Sequence, residues 1–214
     1  MNRLTTLLLF GIFSSVFFSC VKEKNTYAVI ETSFGQIKVM LYNTTPKHRD
    51  NFIKLAKEGY YDGLLFHRVI NAFMVQGGDP DSRNAPPGVS LGMGGPGYLI
   101  DAEIGSPHLR GALAAARNNN PQKMSSGSQF YLVQGQKIDD NYLDETERRQ
   151  NIRYSPEQRK LYKEIGGTPF LDNDYTVFGE IVEGLDVLDK LAAVPTDANN
   201  RPLEDVRMKV RILE

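Results

Sequence analysis

The segment Phe66 to Pro80, FHRVINAFMVQGGDP, restricts the fold of this 214-residue chain more than any other. Its aromatic and β-branched residues suit a pleated backbone, and Gly77-Gly78-Asp79-Pro80 supplies residues that turn a chain out of a strand. Phe66, Val69, Phe73, Met74 and Val75 form an apolar wall into which Arg68 and Gln76 bring one cation and one amide. A plain core strand has no use for either, so the segment reads as a strand facing a ligand. Arginine keeps its charge, presents a planar fork of donors and is rarely buried alone. Its partner is either a bound carbonyl or carboxylate, or a structural ion pair.

The flanking sequence is also rich in strands. Tyr27–Thr32 and Gln36–Tyr42 alternate apolar and polar residues around Ser33-Phe34-Gly35, the pattern of a hairpin. Thr45-Pro46 marks the cap and first residue of a helix with Phe52, Leu55 and Ala56 on one face, stopped by Gly59. Gly111–Ala116 and Gln129–Gln134 read as buried strands joined by a turn rich in Asn, Ser and Gly. Thr176–Val182 predicts a strand, and Leu185–Ala193 a helix with Leu185, Leu188 and Leu191 or Ala192 on its apolar face. In Val206–Ile212, Val206, Met208, Val210 and Ile212 alternate with basic residues. Several strands with two helices predict a mainly β architecture, a barrel capped by helices.

Two segments stand apart from this pattern. In the loop from Asp79 to Gly97, Gly92, Gly94 and Gly97 match the spacing G-x-G-x-x-G, but Pro96 interrupts it and no strand and helix frame it, which argues against dinucleotide binding. Residues 135–167 are densely charged and read as helical. There Ser155, Pro156 and Gln158 predict a capping box, Leu161 and Ile165 a small apolar face, and Gly166-Gly167 the stop. Because this segment leads into Phe170, it is expected near the rim of any site that Phe170 borders.

The first 19 residues carry Arg3, then an apolar run through Leu7 to Phe18, then Ser19 before Cys20. That is the pattern of an export signal, and the run is short for a membrane-spanning helix. Cys20 is the single cysteine, so no intrachain disulfide can form. Phe17-Phe18-Ser19-Cys20 resembles the lipobox of bacterial lipoproteins, although Phe18 stands where a small residue is usual. The reading is a signal peptide over 1–19, a lipidated tether over 20–26 beginning at Cys20, and a domain over 27–214, with an uncleaved anchor or simple secretion as the alternatives. The lipid bilayer is then one partner, with the domain facing the periplasm from a membrane, such as the outer membrane.

Other functions are disfavoured. A formal net charge of -1, with basic residues dispersed, gives no reason to expect a nucleic-acid partner. His48, His67 and His108 lack metal-ligand spacing and no G-x-S-x-G is present, so neither a metal nor another cofactor is expected.

FHRVI with FMVQGGDP, then GSQFY, then FLDNDYTVFGEIVEG occur in an order that resembles the cyclophilins, the peptidyl-prolyl cis-trans isomerases. The resemblance runs from about Tyr27 to Glu214, apart from an insertion at 135–167. It implies a closed antiparallel β-barrel capped by two helices. It also implies catalysis of rotation about X-Pro bonds in proline-containing polypeptides, here exported proteins whose folding it assists.

An X-Pro amide crosses a barrier of about 18–20 kcal/mol because rotation breaks resonance with the prolyl nitrogen. The nitrogen becomes pyramidal and gains a lone pair, so a donor placed there stabilises the transition state selectively. Arg68 is the donor in this reading, and Gln76 orients it and the substrate. By resemblance, Phe73, Met74, Tyr131 and Leu171 form the proline pocket, Gln129 helps orient the peptide, Ala116 and Arg117 pair with its backbone, and Phe170 and Tyr175 close the far side. His67 is read as a core or second-layer residue, since rotation needs no proton transfer. Four positions depart from the best-known eukaryotic members: Arg117 replaces asparagine, Tyr131 phenylalanine, Phe170 tryptophan and Tyr175 histidine. Against the family pattern these bear on the expected substrate preference more than on turnover. The competing reading is a prolyl-peptide-binding chaperone or assembly module without catalysis, for which Arg68 has no evident use.

Overall fold

The computed structural model describes residues 25–213; the expected signal segment, Cys20 and most of the tether lie outside them. Ten strands are described: β1 (Thr26–Thr32), β2 (Gly35–Leu41), β3 (Phe66–Ile70), β4 (Met74–Gly77), β5 (Leu99–Ile100), β6 (Ala112–Ala115), β7 (Ser125–Ser126), β8 (Phe130–Val133), β9 (Val177–Glu183) and β10 (Lys209–Leu213). With them stand four α-helices: α1 (Pro46–Lys57), α2 (Asp140–Gln150), α3 (Pro156–Glu164) and α4 (Leu185–Ala192).

Eight strands form one antiparallel sheet in the order β10-β1-β2-β9-β6-β8-β4-β3, and β5 pairs separately with β7. In place of the expected closed barrel, the order has two ends, β10 and β3, so the sheet is curled with two edges. The edges approach each other: the N–H of Gly63 donates to Met208 O (2.9 Å), that of Met208 to Leu64 O (2.8 Å) and that of Phe66 to Val206 O (2.9 Å), with one isolated bridge between Leu65 and Arg207.

The segment read as one ligand-facing strand is two. β3 and β4 form a hairpin, and Ala72 in its turn adopts φ 59°, a left-handed conformation that costs a β-carbon residue energy. Gln134 offsets that cost: its Oε1 accepts the Ala72 N–H at 2.6 Å. The N–H groups of Gln134 and Gly135 both donate to Phe73 O at 3.0 Å. Phe73 therefore comes from a pinned turn, not from the face of a strand.

Alternation along the strands separates two apolar clusters on opposite faces. Leu113 and Ala115 of β6, Phe130 and Leu132 of β8 and Val75 of β4 face the main core, with Phe52 and Leu55 of α1 and Val187, Leu188 and Leu191 of α4. Ala112, Ala114 and Ala116, Tyr131 and Val133, and Met74 face a second cluster with Leu171 and Val177, against which Phe73 and Tyr175 pack. Phe130 fixes which face is which. Its ring meets Phe52, Tyr61 and Phe66 edge-on at 5.6, 5.6 and 6.2 Å, so its neighbours Gln129 and Tyr131 must point the other way.

The helices follow the sequence with local corrections. Thr45 gives α1 no side-chain cap; the Glu103 carboxylate accepts the N–H groups of Lys47 and His48, each at 3.0 Å. On α4 Leu185 is exposed, and Val187 joins Leu188, Leu191 and Ala192 on the buried face. The insertion forms α2 and α3, and the Ser155–Gln158 capping box is present. Its apolar anchor is Tyr162, packed with Ile138 and Leu143; Ile165, expected on that face, caps the helix end and is exposed. The two ends of the insertion meet. Gly167 N–H donates to Gln136 O (3.0 Å), and a β-carbon on Gly135 would stand 2.6 Å from the Gly167 α-carbon. The 33-residue excursion 135–167 thus leaves and re-enters the domain at one point, a closure that makes it tolerable to the fold.

Candidate active site

Arg68 lies on β3 opposite Gln76 on β4, and Gln76 lies opposite Tyr131 on β8. Adjacent strands thus bring three separated residues onto one face. The Arg68 guanidinium donates to Gln76 Oε1 (3.2 Å), Gln76 Nε2 donates to Gln129 Oε1 (3.1 Å), and Gln129 Nε2 donates to the carbonyls of Gly92 (3.0 Å) and Gly94 (2.7 Å). The chain of amides fixes the half-buried arginine from one side. Its charge has no carboxylate within ion-pair distance among the described residues, which removes the structural ion pair weighed from sequence. The guanidinium carbon stands 6.0 Å from the centre of the Phe73 ring.

Beside it, Met74, Tyr131 and Leu171 are buried in the second cluster, with Phe73 at its edge. Phe170 and Leu171 come from a short 3-10 turn, Pro169–Leu171, which sends Leu171 inward and leaves Phe170 exposed, 5.4 Å from the Phe73 ring. Tyr175 meets Tyr131 edge-on at 6.0 Å and lies under the Arg117 guanidinium, 4.8 Å away. Arg117 is tied down further by Asp174, donating to its backbone O at 2.8 Å. A groove of about 400 Å³ continues the site between Arg117, Gln76 and Gln129 on one side and Met93, Tyr98 and Leu99 on the other.

The structure gathers every sequence-selected residue of the domain on this face but alters two details. Ala116 has both main-chain groups engaged, its N–H with Gln129 O (2.9 Å) and its C=O with Ser126 N–H (2.8 Å), so its N–H is not free to pair with a peptide. His67 is the extra residue where the β3–β4 register shifts, not a regularly alternating one. It is buried, and burial pushes its pKa down to about 4 in spite of the nearby Asp79, so it is neutral at pH 7.

Sequence reasoning missed the role of the glycine-rich loop as acceptor for Gln129. It also missed a buried hub behind the pocket. Asp172 Oδ1 accepts the N–H (2.8 Å) and the Nδ1–H (2.7 Å) of His108, while Oδ2 accepts the hydroxyls of Tyr162 (2.5 Å) and Tyr154 (2.9 Å). The other ring nitrogen of His108 meets the Tyr131 hydroxyl at 2.9 Å. Burial, and then the Asp172 charge, push the hydroxyls of Tyr154 and Tyr162 well up, so both keep their protons. His108 and Asp172 are 64 residues apart, and no motif joins them.

Arg68 thus places a hydrogen-bond-donating cation at the mouth of an apolar cleft. The family model for cyclophilin type peptidyl-prolyl cis-trans isomerase/CLD matches residues 27–211. The chain belongs to the cyclophilin-type peptidyl-prolyl cis-trans isomerases. A Staphylococcus aureus protein named as a peptidyl-prolyl cis-trans isomerase is 36% identical over 192 residues, covering 87% of this chain and 90% of its own. A longer Streptococcus pyogenes protein, named as a bifunctional phosphatase and peptidyl-prolyl cis-trans isomerase, is 41% identical over 185 residues, 83% of this chain and 36% of that protein. Among solved structures, a Cryptosporidium parvum cyclophilin type isomerase matches with TM-score 0.64 and 25% identity over 89% of this chain and 99% of its own. The same protein crystallised in the presence of the dipeptide Ala-Pro matches with TM-score 0.63. This cyclophilin is therefore an isomerase of X-Pro bonds.

Proposed function

We propose that this cyclophilin isomerises X-Pro bonds by gripping the proline ring over Phe73, Met74, Tyr131 and Leu171 while Arg68 donates a hydrogen bond to the prolyl nitrogen as it becomes pyramidal. The observation that carries this is Arg68: a cation fixed by Gln76 beside an apolar cleft, with no carboxylate in ion-pair reach among the described residues. Such a donor strengthens toward the twisted amide more than toward either planar form, which is what lowers a rotational barrier. A reduction of about 5.5 kcal/mol gives about ten-thousandfold acceleration. Gln76 and Gln129 hold the arginine and orient the peptide. With Ala116 already engaged, main-chain pairing falls to Arg117, and Phe170 and Tyr175 border the residues that follow. The backbone bonds between 63–66 and 206–208 support reading the curled sheet as a barrel closed at that seam, which stiffens the β3 end carrying Arg68.

In the same reading the substrates are exported proteins, and the domain works at a membrane surface. The Phe17-Phe18-Ser19-Cys20 sequence supports lipidation at Cys20 after removal of the preceding segment, with Val21–Thr26 as a tether. Among the described residues no helix is long and apolar enough to cross a membrane; in this reading the acyl chains on Cys20 hold the protein at the bilayer. Fractionation of cells expressing Cys20→Ala against wild type tests this part: the variant leaves the membrane fraction, and unchanged attachment overturns lipid anchoring.

The catalytic part is tested with the full-length chain in detergent micelles and an Ala-Pro-containing peptide, by NMR exchange spectroscopy, beside Arg68→Ala. Rapid cis-trans exchange that falls about a hundred- to a thousandfold in the variant supports the mechanism. Equal exchange in the variant removes Arg68 from it, and peptide binding without accelerated exchange moves the protein to the non-catalytic chaperone class.

A further inference from the structure

A tyrosine in a proline pocket poses a problem, because its hydroxyl either stays unsatisfied or claims a partner from the substrate. Here the hydroxyl is led away from the cleft. The Tyr131 ring lies parallel to the His108 ring, 6.0 Å between centres, and its hydroxyl reaches His108 at 2.9 Å. The Asp172 carboxylate can only accept, so Nδ1 of His108 carries the ring proton and Nε2 accepts from Tyr131. Asp172 is held in turn by Tyr154 and Tyr162, which belong to the insertion. Tyr162 and His108 are fully buried and Asp172 nearly so. Each link is a hydrogen bond of 2.5–2.9 Å between side chains that are buried except for the half-buried Tyr154.

The insertion also touches the other wall of the cleft. Gln150 at the end of α2 donates to Phe170 O at 2.8 Å, and the Tyr154 hydroxyl reaches Pro169 O at 3.2 Å. A charged excursion packed on its own domain for solubility alone needs none of this.

We propose that the 135–167 insertion is a positioning element for the proline pocket, setting the Tyr131 ring through the buried relay Tyr154/Tyr162–Asp172–His108. The inference rests on the reading of Tyr131 as a wall of the proline site. Tyr154, Tyr162, Asp172 and His108 touch no substrate in it; they act through Tyr131. Their selective value is that a pocket residue with a polar tip presents only its ring to the proline. The insertion thereby becomes part of substrate affinity without lining the cleft.

The test is a coupling measurement on the full-length chain in detergent micelles, reading the dissociation constant of an Ala-Pro-containing peptide by NMR titration and cis-trans exchange on the same samples. The double change Tyr154→Phe with Tyr162→Phe removes both hydroxyls and keeps both rings. We expect peptide affinity to weaken about fivefold when residue 131 is Tyr, and to change less than about twofold when the same pair is introduced into Tyr131→Phe, which needs no hydroxyl partner. His108→Leu is the second route and follows the same pattern, so a failure of one variant to fold, checked by thermal melting, leaves the other. Equal weakening on both backgrounds, or none on either, overturns the relay. Should the wild type fail to accelerate exchange while the coupling in affinity persists, the catalytic reading falls and the relay stands.

Discussion

Asp172 and Arg68 lie on the two sides of the same pocket and are opposites in one respect. Asp172 is almost fully buried and receives four hydrogen bonds, two from His108 and one each from Tyr154 and Tyr162. Arg68 has five N–H donors and spends one on Gln76. A saturated buried charge has nothing left to offer a ligand and serves to fix its neighbours. A half-buried one with donors to spare can still meet a ligand, which is the role proposed for Arg68.

Exchanging the roles experimentally gives the largest effects. Arg68→Ala should cost about 3–4 kcal/mol of transition-state stabilisation while moving unfolding stability by less than about 1 kcal/mol, because it leaves no buried group unpaired except Gln76. Denaturant unfolding beside the exchange assay checks the split, and a large loss of stability would make Arg68 structural after all.

His67, next to Arg68, separates acid-base chemistry from burial. Its folded pKa of about 4 lies below the ordinary 6.5, so the unfolded chain binds its proton more readily. The contribution to stability is complete above pH 6.5 and is lost as pH falls toward 4, by about 3 kcal/mol in all. In His67→Phe this part of the slope should vanish from unfolding curves taken between pH 7 and 4. Turnover of the wild type should stay flat over pH 6–8, since rotation moves no proton; a bell-shaped profile there contradicts the role given to Arg68.

Asp172→Asn comes next, with about 2 kcal/mol of lost stability from a donor replacing an acceptor opposite two tyrosine hydroxyls, measured by denaturant unfolding. The smallest effect marks the floor of the comparison. Arg149 and Glu145 pair on the exposed side of α2, where water screens them, and Arg149→Ala should leave the unfolding midpoint unchanged.

What was legible beforehand follows the range of the forces involved. The hairpin β1–β2, helix α1 and the strands β6, β8 and β9 could be read because alternation, a proline at a helix start and glycine punctuation act within a few residues. Arg68 and Gln76 were recognisable as misplaced polar residues in apolar surroundings, and Gln129 only through the resemblance to the cyclophilins. The β3–β4 break was missed because its turn residue is Ala72, whose residue type does not announce a left-handed backbone; its N–H is shared by the neighbouring Asn71 and by Gln134, 62 residues away. The exposed Ile165 and buried Tyr162 were exchanged for a similar reason: the helix pattern was read correctly, but its face depends on where Ile138 and Leu143 lie.

By itself, then, the sequence determined a mainly β domain with a cation and an amide set among apolar strand residues and a charged helical insertion, because periodicity and residue chemistry are local properties; the isomerase reading came from the resemblance to the cyclophilins. Tertiary structure alone decided that the sheet has two edges, that Ala116 is already paired, and that the insertion's tyrosines reach Tyr131 through Asp172 and His108. Hydrogen bonds are satisfied in space, by whichever donor the folded chain brings within 3 Å, and spacing along the chain carries no record of that meeting.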